Sequence, residues 1–209
     1  MAKIKPGSLF NGTSGRIGNL VTYNLNGIQV VRTMPESFKK RKTSLLQTLH
    51  QNSFRVQHAI AKSVKRTLID KIWSQLSSKG GLNPYNQFIK RNRAAFAGGD
   101  RIVFPELMVV SDGSLVPAPG FSVKKEGDLL TFTWDSHLVG KGSSNKDKLN
   151  IIMIVCRNSL CIVEIESIRS DGEATLPYAP GNDPFTEGFA FWSSENEDSF
   201  SPSVYWMCR

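Results

Sequence analysis

The side chains best suited to chemistry are several carboxylates of the second half, three histidines and three cysteines. The carboxylates are Asp135, Asp147, Glu164, Glu166 and Asp171, the histidines are His50, His58 and His137, and the cysteines are Cys156, Cys161 and Cys208. Acid–base and nucleophilic catalysis need such groups within hydrogen-bonding reach of one another. No carboxylate stands beside a histidine or cysteine in a recognisable catalytic pattern, and the chain has no Gly-x-Ser-x-Gly motif. We therefore expect no catalytic residues, and we interpret the carboxylates as solvated surface charges.

The same residues give little support for a bound metal. Asp135 and Asp147 flank the glycine-rich stretch 140–144, which lacks the dense run of oxygen ligands that a calcium ion needs. The cysteines and histidines show no zinc-site spacing. Cys156 and Cys161 would point to opposite faces of a continuous strand, which disfavours a disulfide bond. We expect three reduced thiols, two of them packed as small apolar side chains, and neither a metal nor a cofactor.

Clusters of basic side chains in the chain could bind anions. Nucleic-acid phosphates, or an acidic protein surface, bind clusters of such cations. The candidate anion-binding residues are the consecutive Lys39, Lys40, Arg41 and Lys42, together with Lys62, Lys65 and Arg66 on a predicted helix. No helix-turn-helix, RNA-binding sheet or zinc-finger motif accompanies them. A solvated linker is the alternative interpretation of residues 39–42.

Charge is divided unevenly along the 209 residues, whose formal net charge is +8. Residues 1–104 contain 18 Lys or Arg and three Asp or Glu, whereas residues 105–209 contain eight Lys or Arg and 15 Asp or Glu. A division of this size predicts two regions with different partners. The alternative is that the two halves attract each other, within one chain or between neighbouring copies.

Residues 14–33 are predicted to form a β-hairpin around Asn26-Gly27, which tolerates the positive φ angles of a type I′ turn. Pairing outward from this turn places Leu25 opposite Ile28, Tyr23 opposite Val30, and Val21 opposite Arg32. These six candidate interaction residues share one mostly apolar face, and the opposite face, with Thr22 and Gln29, is polar and can stay wet. An isolated hairpin is marginally stable in water, so we expect a partner surface to cover its apolar face.

Amphipathic patterns predict two helices after the hairpin. Ser44 and Gln47 form a capping box at the start of the first. Its apolar stripe consists of Leu45, Leu49, Val56, Ile60, Val64, Leu68, Ile72 and Leu76, with a break expected at Thr67 and Trp73 as a packing anchor. A shorter helix begins at Asn83-Pro84. Its expected buried residues are Tyr85, Phe88, Ile89 and Phe96, and its expected outward residues are Lys90, Arg91 and Arg93.

From residue 100 the pattern changes to short runs separated by turns. The seven predicted strands are 103–110, 129–134, 149–155, 160–168, 174–176, 186–192 and 203–207. Strands at this spacing predict a β-sandwich, in which Trp134 and Tyr205 resemble the core aromatic residues of immunoglobulin-like modules. The predicted fold class is therefore α+β. It consists of a basic hairpin-and-helix region over residues 1–104 and an acidic, all-β immunoglobulin-like or fibronectin III-like sandwich over residues 105–209.

The hairpin resembles an uncharacterised family widespread in Bacteroidota, through Gly15-Arg16-Ile17-Gly18, Tyr23, Asn26-Gly27 and Val31-Arg32. Members share an SGKIG…NGK…VR hairpin, a helical stretch and a C-terminal fibronectin-like sandwich. The lysine usual after Asn-Gly is Ile28 here, and Ser201–Tyr205 matches the family's last strand. Trp73 and Tyr85–Phe88 are similar to a segment of phage and prophage proteins that look like virion components. The resemblance implies a structural role and no enzymatic chemistry.

Targeting signals are the last feature that bounds the function. No stretch approaches the roughly 18 apolar residues of a membrane span, and the N-terminal residues do not form a secretory signal peptide. We expect a cytoplasmic or virion-associated, non-enzymatic interaction protein that docks through its basic N-terminal region. The expected partner is another protein or a further copy of this chain, and no small-molecule substrate is expected. A nucleic-acid-binding protein that uses residues 39–42 and the cationic helix face is the alternative.

Overall fold

The computed structural model describes residues 2–4, 7, 10–25, 27–34, 42–77, 83–137, 142–178 and 186–208. The chain divides into two compact units, Met1–Thr43 and Ser44–Arg209. The first unit contains a small antiparallel sheet, and the second combines helices with two further antiparallel sheets. The predicted mixture of helix and antiparallel sheet is therefore confirmed.

The described part of the first unit is a four-stranded sheet built around the predicted hairpin. Its strands are β1 (Ala2–Lys3), β2 (Gly15–Ile17), β3 (Leu20–Leu25) and β4 (Ile28–Thr33), in the order β1-β4-β3-β2. The β3–β4 register pairs the six candidate residues as predicted. Gly27 has a φ of +82°, which glycine adopts at little steric cost, and Asn26 lies outside the described residues. The hairpin is not a two-stranded ribbon, because β1 and β2 pair with its outer edges.

The polar face of this sheet is covered in part by the loop that precedes β2. The side chain of Gln29 accepts a hydrogen bond from the Gly12 N–H at 2.8 Å and donates one to the carbonyl oxygen of Thr13. Thr22 is buried, and its hydroxyl donates to the carbonyl oxygen of Gly15 at 3.3 Å. The expectation of a wet polar face is wrong at Thr22, which is buried, and Gln29 is half-buried, because β2 and the loop before it supply hydrogen-bonding partners in place of water.

The first helix of the second unit begins where its cap predicts. Helix α1 spans Leu45–Ser63, and the Ser44 hydroxyl accepts the Gln47 N–H at 3.2 Å. The predicted break occurs at Val64, three residues before Thr67, where the helix changes to a π-helical stretch, Lys65–Trp73, and then to the short α2, Ser74–Ser77. The predicted stripe is buried from Ile60 to Ile72 and partly buried at Leu76, whereas Leu45 at its start is 77% exposed.

The second predicted helix also starts at its cap. Helix α3 spans Pro84–Asn92, and the side chain of Asn83 accepts the Asn86 N–H at 2.8 Å. A 3₁₀ turn, Arg93–Phe96, continues it. Trp73 is buried as predicted, with its indole N–H donating to the carbonyl oxygen of Val110 at 3.1 Å. None of the helices described here is long and apolar enough to cross a bilayer.

Seven strands in the described part of the second unit form two antiparallel sheets. They are β5 (Ser122–Glu126), β6 (Leu129–Thr133), β7 (Lys148–Val155), β8 (Ser159–Val163), β9 (Glu173–Pro177), β10 (Thr186–Ser193) and β11 (Val204–Cys208). The orders are β5-β6-β9 and β11-β10-β7-β8. Six of these strands match predicted runs. The run 103–110 is not a strand, because Pro105–Leu107 forms a 3₁₀ turn, and β5 was not predicted.

Apolar side chains cover both faces of the four-stranded sheet of the second unit, β11-β10-β7-β8. One core lies between this sheet and the helices and includes Ile60, Leu68, Phe88, Ile152, Ile154, Phe189 and Phe191. The other lies between the two sheets and includes Leu130, Phe132, Trp134, Ile151, Trp192 and Trp206. Trp134 is thus an inter-sheet core residue, whereas Tyr205 packs against the helix-side core. The helices share a core with the sheet, so residue 104 marks a change in charge and not a break in packing.

Candidate interaction sites

The tip of the hairpin carries the most exposed apolar residues among the six candidates. Leu25 is 50% exposed and Ile28 is 46% exposed, and the two are cross-strand partners on one face. Farther from the tip, Val30 is buried, Val21 and Tyr23 are half-buried, and Arg32 is exposed. The Arg32 guanidinium carbon lies 5.8 Å from the Tyr23 ring centroid, within the range of a cation–π contact. The candidate face therefore has apolar residues at the hairpin tip and a cation, Arg32, at its other end.

The candidate anion-binding residues do not all fall on described parts of the chain. Lys39, Lys40 and Arg41 lie outside the described residues, and Lys42 is exposed. Lys62, Lys65 and Arg66 are exposed where α1 passes into the π-helical stretch. The Lys65 ammonium forms an ion pair with Asp70 at 2.8 Å. Exposed pairs of this kind contribute little to stability, but they reduce the charge presented to a partner.

An open groove of about 1210 Å³ lies between α1 and the segment formed by α3 and its 3₁₀ turn, and no sequence pattern predicts it. Its apolar lining comes from Phe54 on α1, Ile89 on α3 and Phe96 on the turn. Phe54 is 58% exposed. The side chain of Gln57, which is buried, donates to the carbonyl oxygen of Ile89 and ties the two helices together.

Cationic side chains line the same groove. They are Lys90, Arg91 and Arg93, and the imidazole of His50 joins them from α1. No acidic side chain lines the groove among the residues that the structure describes. The carboxylate of Asp112 lies 4.0 Å from the guanidinium of Arg91. The outward direction of Lys90, Arg91 and Arg93 is as predicted, but the apolar floor beside them depends on how the helices pack.

One predicted surface carboxylate is instead buried. Asp147 is 1% exposed and Arg169 is 0% exposed, with the Arg169 Nε 3.2 Å from Asp147 Oδ2. Asp147 also accepts the Ser144 N–H at 3.0 Å, and Arg169 donates to the carbonyl oxygen of Val116 and lies over the Trp192 ring. Burial lowers the pKa of Arg169, and the Asp147 carboxylate opposes that change. The surface-charge expectation is wrong for Asp147, because Arg169 compensates its charge inside the protein.

A second buried polar cluster joins strands β10 and β11 to the β7–β8 turn. Glu187 is 3% exposed, accepts the Arg157 Nε–H at 2.8 Å, and accepts the Tyr205 hydroxyl at 2.7 Å. Burial raises the pKa of Tyr205, and its hydrogen bond to Glu187 adds to the rise. Cys156 and Arg157 have φ angles of 49° and 54°, a region that costs energy for residues with a side chain. These hydrogen bonds link β10 to β11 and to the β7–β8 turn.

The remaining chemically competent residues are dispersed. Glu164, Glu166 and Asp171 are exposed, as predicted for surface charges. Within the described ranges, no three His, Cys, Asp or Glu side chains converge to hold a metal ion. The cysteines are unpaired, with Cys156 and Cys161 exposed and Cys208 buried. One thiol is therefore packed as a small apolar group, and the prediction of two is wrong.

Comparisons with known proteins leave these surfaces to be interpreted from their own geometry. No protein-family model, no curated protein and no solved structure matches the chain.

Proposed function

We propose that this chain is a non-enzymatic interaction protein that assembles with further copies of itself through the apolar face of its N-terminal sheet. The observation that carries the proposal is the pair of cross-strand partners Leu25 and Ile28, each about half exposed at the hairpin tip. Clustered apolar residues that remain exposed mark contact surfaces in soluble proteins. Burying them in an interface would recover the hydrophobic stabilisation that the isolated sheet leaves unused.

Charge supports a second copy as the partner. Residues 1–43 carry eight Lys or Arg and one Glu, whereas residues 105–209 carry 15 Asp or Glu against eight Lys or Arg. The opposite net charges of these two regions favour an encounter between copies, because complementary charge accelerates association. A virion component, which the resemblance implies, would assemble in this way. Capsid or tail genes beside the gene would support that setting.

The strand order supports a fibronectin III-like sandwich as the body of this assembly protein. Counted along the second unit, the first, second and fifth strands form one sheet, and the third, fourth, sixth and seventh form the other. Trp134 follows the second strand and is buried between the sheets. Modules of this architecture present loops at the ends of the sandwich, where partners bind.

Sedimentation velocity over a range of protein concentrations tests self-assembly. We expect the wild type to associate at ionic strengths of both about 0.05 M and about 0.5 M, because apolar contacts are insensitive to screening. The double variant L25S/I28S should associate about tenfold more weakly. The matched control is L129S/M207S, whose residues are 47% and 46% exposed in the other unit. A wild type that stays monomeric, or a control that weakens association as much as L25S/I28S, would contradict the proposal.

The alternative function, nucleic-acid binding, is favoured by the exposure of Lys42, Lys62 and Arg66. Such binding weakens steeply with salt because condensed counterions are released. Replacing residues 39–42 by glutamine should then abolish retention on immobilised nucleic acid. Unchanged retention would reject this alternative.

A further inference from the structure

We propose that the groove between α1 and α3 is a second docking site, which receives an acidic, amphipathic polypeptide segment of a different protein. The groove shares no residue with the hairpin face, and the inference does not rest on self-assembly. It is carried by the combination of an apolar floor and a cationic rim within one preformed groove.

The charge of the rim defines the sign of the occupant. Lys90, Arg91 and Arg93 contribute three permanent cations from a four-residue span, and the described lining contains no acid to compensate them. Arg91 has Asp112 at 4.0 Å, which is too long for a strong ion pair. An occupant that brings carboxylates to this rim satisfies the cations, whereas a basic occupant is repelled.

The floor and its size define the kind of occupant. Phe54 is 58% exposed beside Ile89 and Phe96, so the occupant must also present apolar side chains. Sites for small ligands enclose about 300–1,000 Å³, and the groove, at about 1210 Å³, exceeds that range. Leu46 lies one turn before His50 on α1 and is 69% exposed, so the apolar surface continues along the helix. A polypeptide segment fits this extended shape.

Two hydrogen bonds fix the separation between α1 and the segment that forms the other side of the groove, so the groove exists before an occupant binds. The Gln57 side chain bonds to the carbonyl oxygen of Ile89. The Ser53 hydroxyl donates to the carbonyl oxygen of Gly99 at 3.1 Å. A site preformed in this way loses less entropy when its occupant arrives.

The composition of the chain argues against a second copy as the source of this segment. In the described α-helices and the π-helical stretch, Asp70 is the single acidic residue, and it already pairs with Lys65. The other described acids of the second unit lie in strands, in loops and in two three-residue 3₁₀ helices that contain Glu106 and Asp171, where they do not form an amphipathic helix. The segment must therefore come from another protein, in the manner of helix-in-groove recognition.

Fluorescence anisotropy with the full chain and two synthetic amphipathic peptides tests this site. One peptide has leucine and glutamate, and the other has lysine at every glutamate position. We expect saturable binding of the glutamate peptide and no saturable binding of the lysine peptide. In K90Q/R93Q the glutamate peptide should bind about tenfold more weakly and with a shallower salt dependence. F54S should weaken it about tenfold while leaving the salt dependence unchanged. The control K62Q/R66Q, with two exposed cations outside the groove, should bind within about twofold of the wild type.

The outcomes separate this site from the other interpretations. L25S/I28S should bind the glutamate peptide like the wild type, whatever its state of assembly. Equal binding of the lysine peptide, no binding of either peptide, or indifference to F54S would overturn the proposal. Loss of self-association in F54S would assign the groove to a second copy, and displacement of the peptide by an oligonucleotide from the wild type and F54S alike would assign it to nucleic acid.

Discussion

The two four-stranded sheets of this protein differ in how completely their strands are buried. All eight residues of β10, in the second unit, are buried, because helices cover one face of its sheet and another sheet covers the opposite face. In the first unit, one of the six residues of β4 is buried. Burial of apolar surface is the main stabilising term in folding. The second unit therefore contains the more completely buried strands, and the first unit contains the exposed strands on which the proposed self-assembly rests.

The largest expected loss of stability comes from removing a large side chain from the core between the helices and their sheet. Phe189 is fully buried in β10 and packs against the tilted ring of Tyr205, with ring centroids 5.8 Å apart. Phe189→Ala should lower the free energy of unfolding by about 3–5 kcal/mol. Phe54→Ala, at a half-exposed phenylalanine, should lower it by less than about 1 kcal/mol, as measured by urea denaturation. Equal losses in free energy of unfolding for the two variants would contradict the difference in burial between Phe189 and Phe54.

The next effect concerns the buried ion pair of the second unit. Asp147→Asn leaves the Arg169 guanidinium buried without its counter-charge, and we expect a loss of about 3 kcal/mol in urea denaturation. Asp70→Asn breaks an exposed pair with Lys65, whose side chains are 50% and 46% exposed, and should change stability by less than about 1 kcal/mol. A small loss for Asp147→Asn would show that water reaches Arg169.

Local signals explain which parts of the fold were predictable. The hairpin register follows from the Asn26-Gly27 turn and period-two alternation, and the helix starts follow from Ser44 and Asn83, whose side chains each accept an amide N–H three residues away. Strand β5 was missed because Val123 is its one apolar residue. The Gly127-Asp128 pair that joins β5 to β6 was an available hairpin signal.

The interaction sites were less predictable because they depend on residues distant in sequence. Asp147 and Arg169 lie 22 residues apart, and an isolated charged residue in a sequence is most often exposed. The groove needs α1 and α3 at a fixed separation, which no single helix pattern specifies. Phe54 lies off the buried stripe of α1, and a large aromatic residue in that position was the one available clue.

Alkaline pH should expose the role of the Glu187 cluster. Burial raises the pKa of Tyr205 above its ordinary value of 10.0, so the folded protein retains this proton where the unfolded chain loses it. Stability from this difference is complete below pH 10 and declines as pH rises above it. Tyr205→Phe should cost about 1–2 kcal/mol at pH 7 and show a shallower decline above pH 10. Parallel curves for the two proteins would contradict this assignment.

The smallest expected effect is at the hairpin tip. Leu25→Ala removes a side chain that is already half exposed, so the free energy of unfolding should fall by less than about 1 kcal/mol. The same substitution should weaken self-association measurably by sedimentation. A large loss of stability with no effect on association would assign Leu25 to the fold and not to contact.

Side-chain footprinting at low and high protein concentration tests whether the hairpin tip becomes buried between copies of the chain. Hydroxyl-radical labelling reports the solvent exposure of Leu25 and Ile28, and of the exposed Leu129 as an internal reference. If copies assemble through the hairpin tip, labelling of Leu25 and Ile28 falls as protein concentration rises, while labelling of Leu129 stays constant. Labelling of the hairpin tip that is independent of concentration, across the range in which the protein associates, would contradict it.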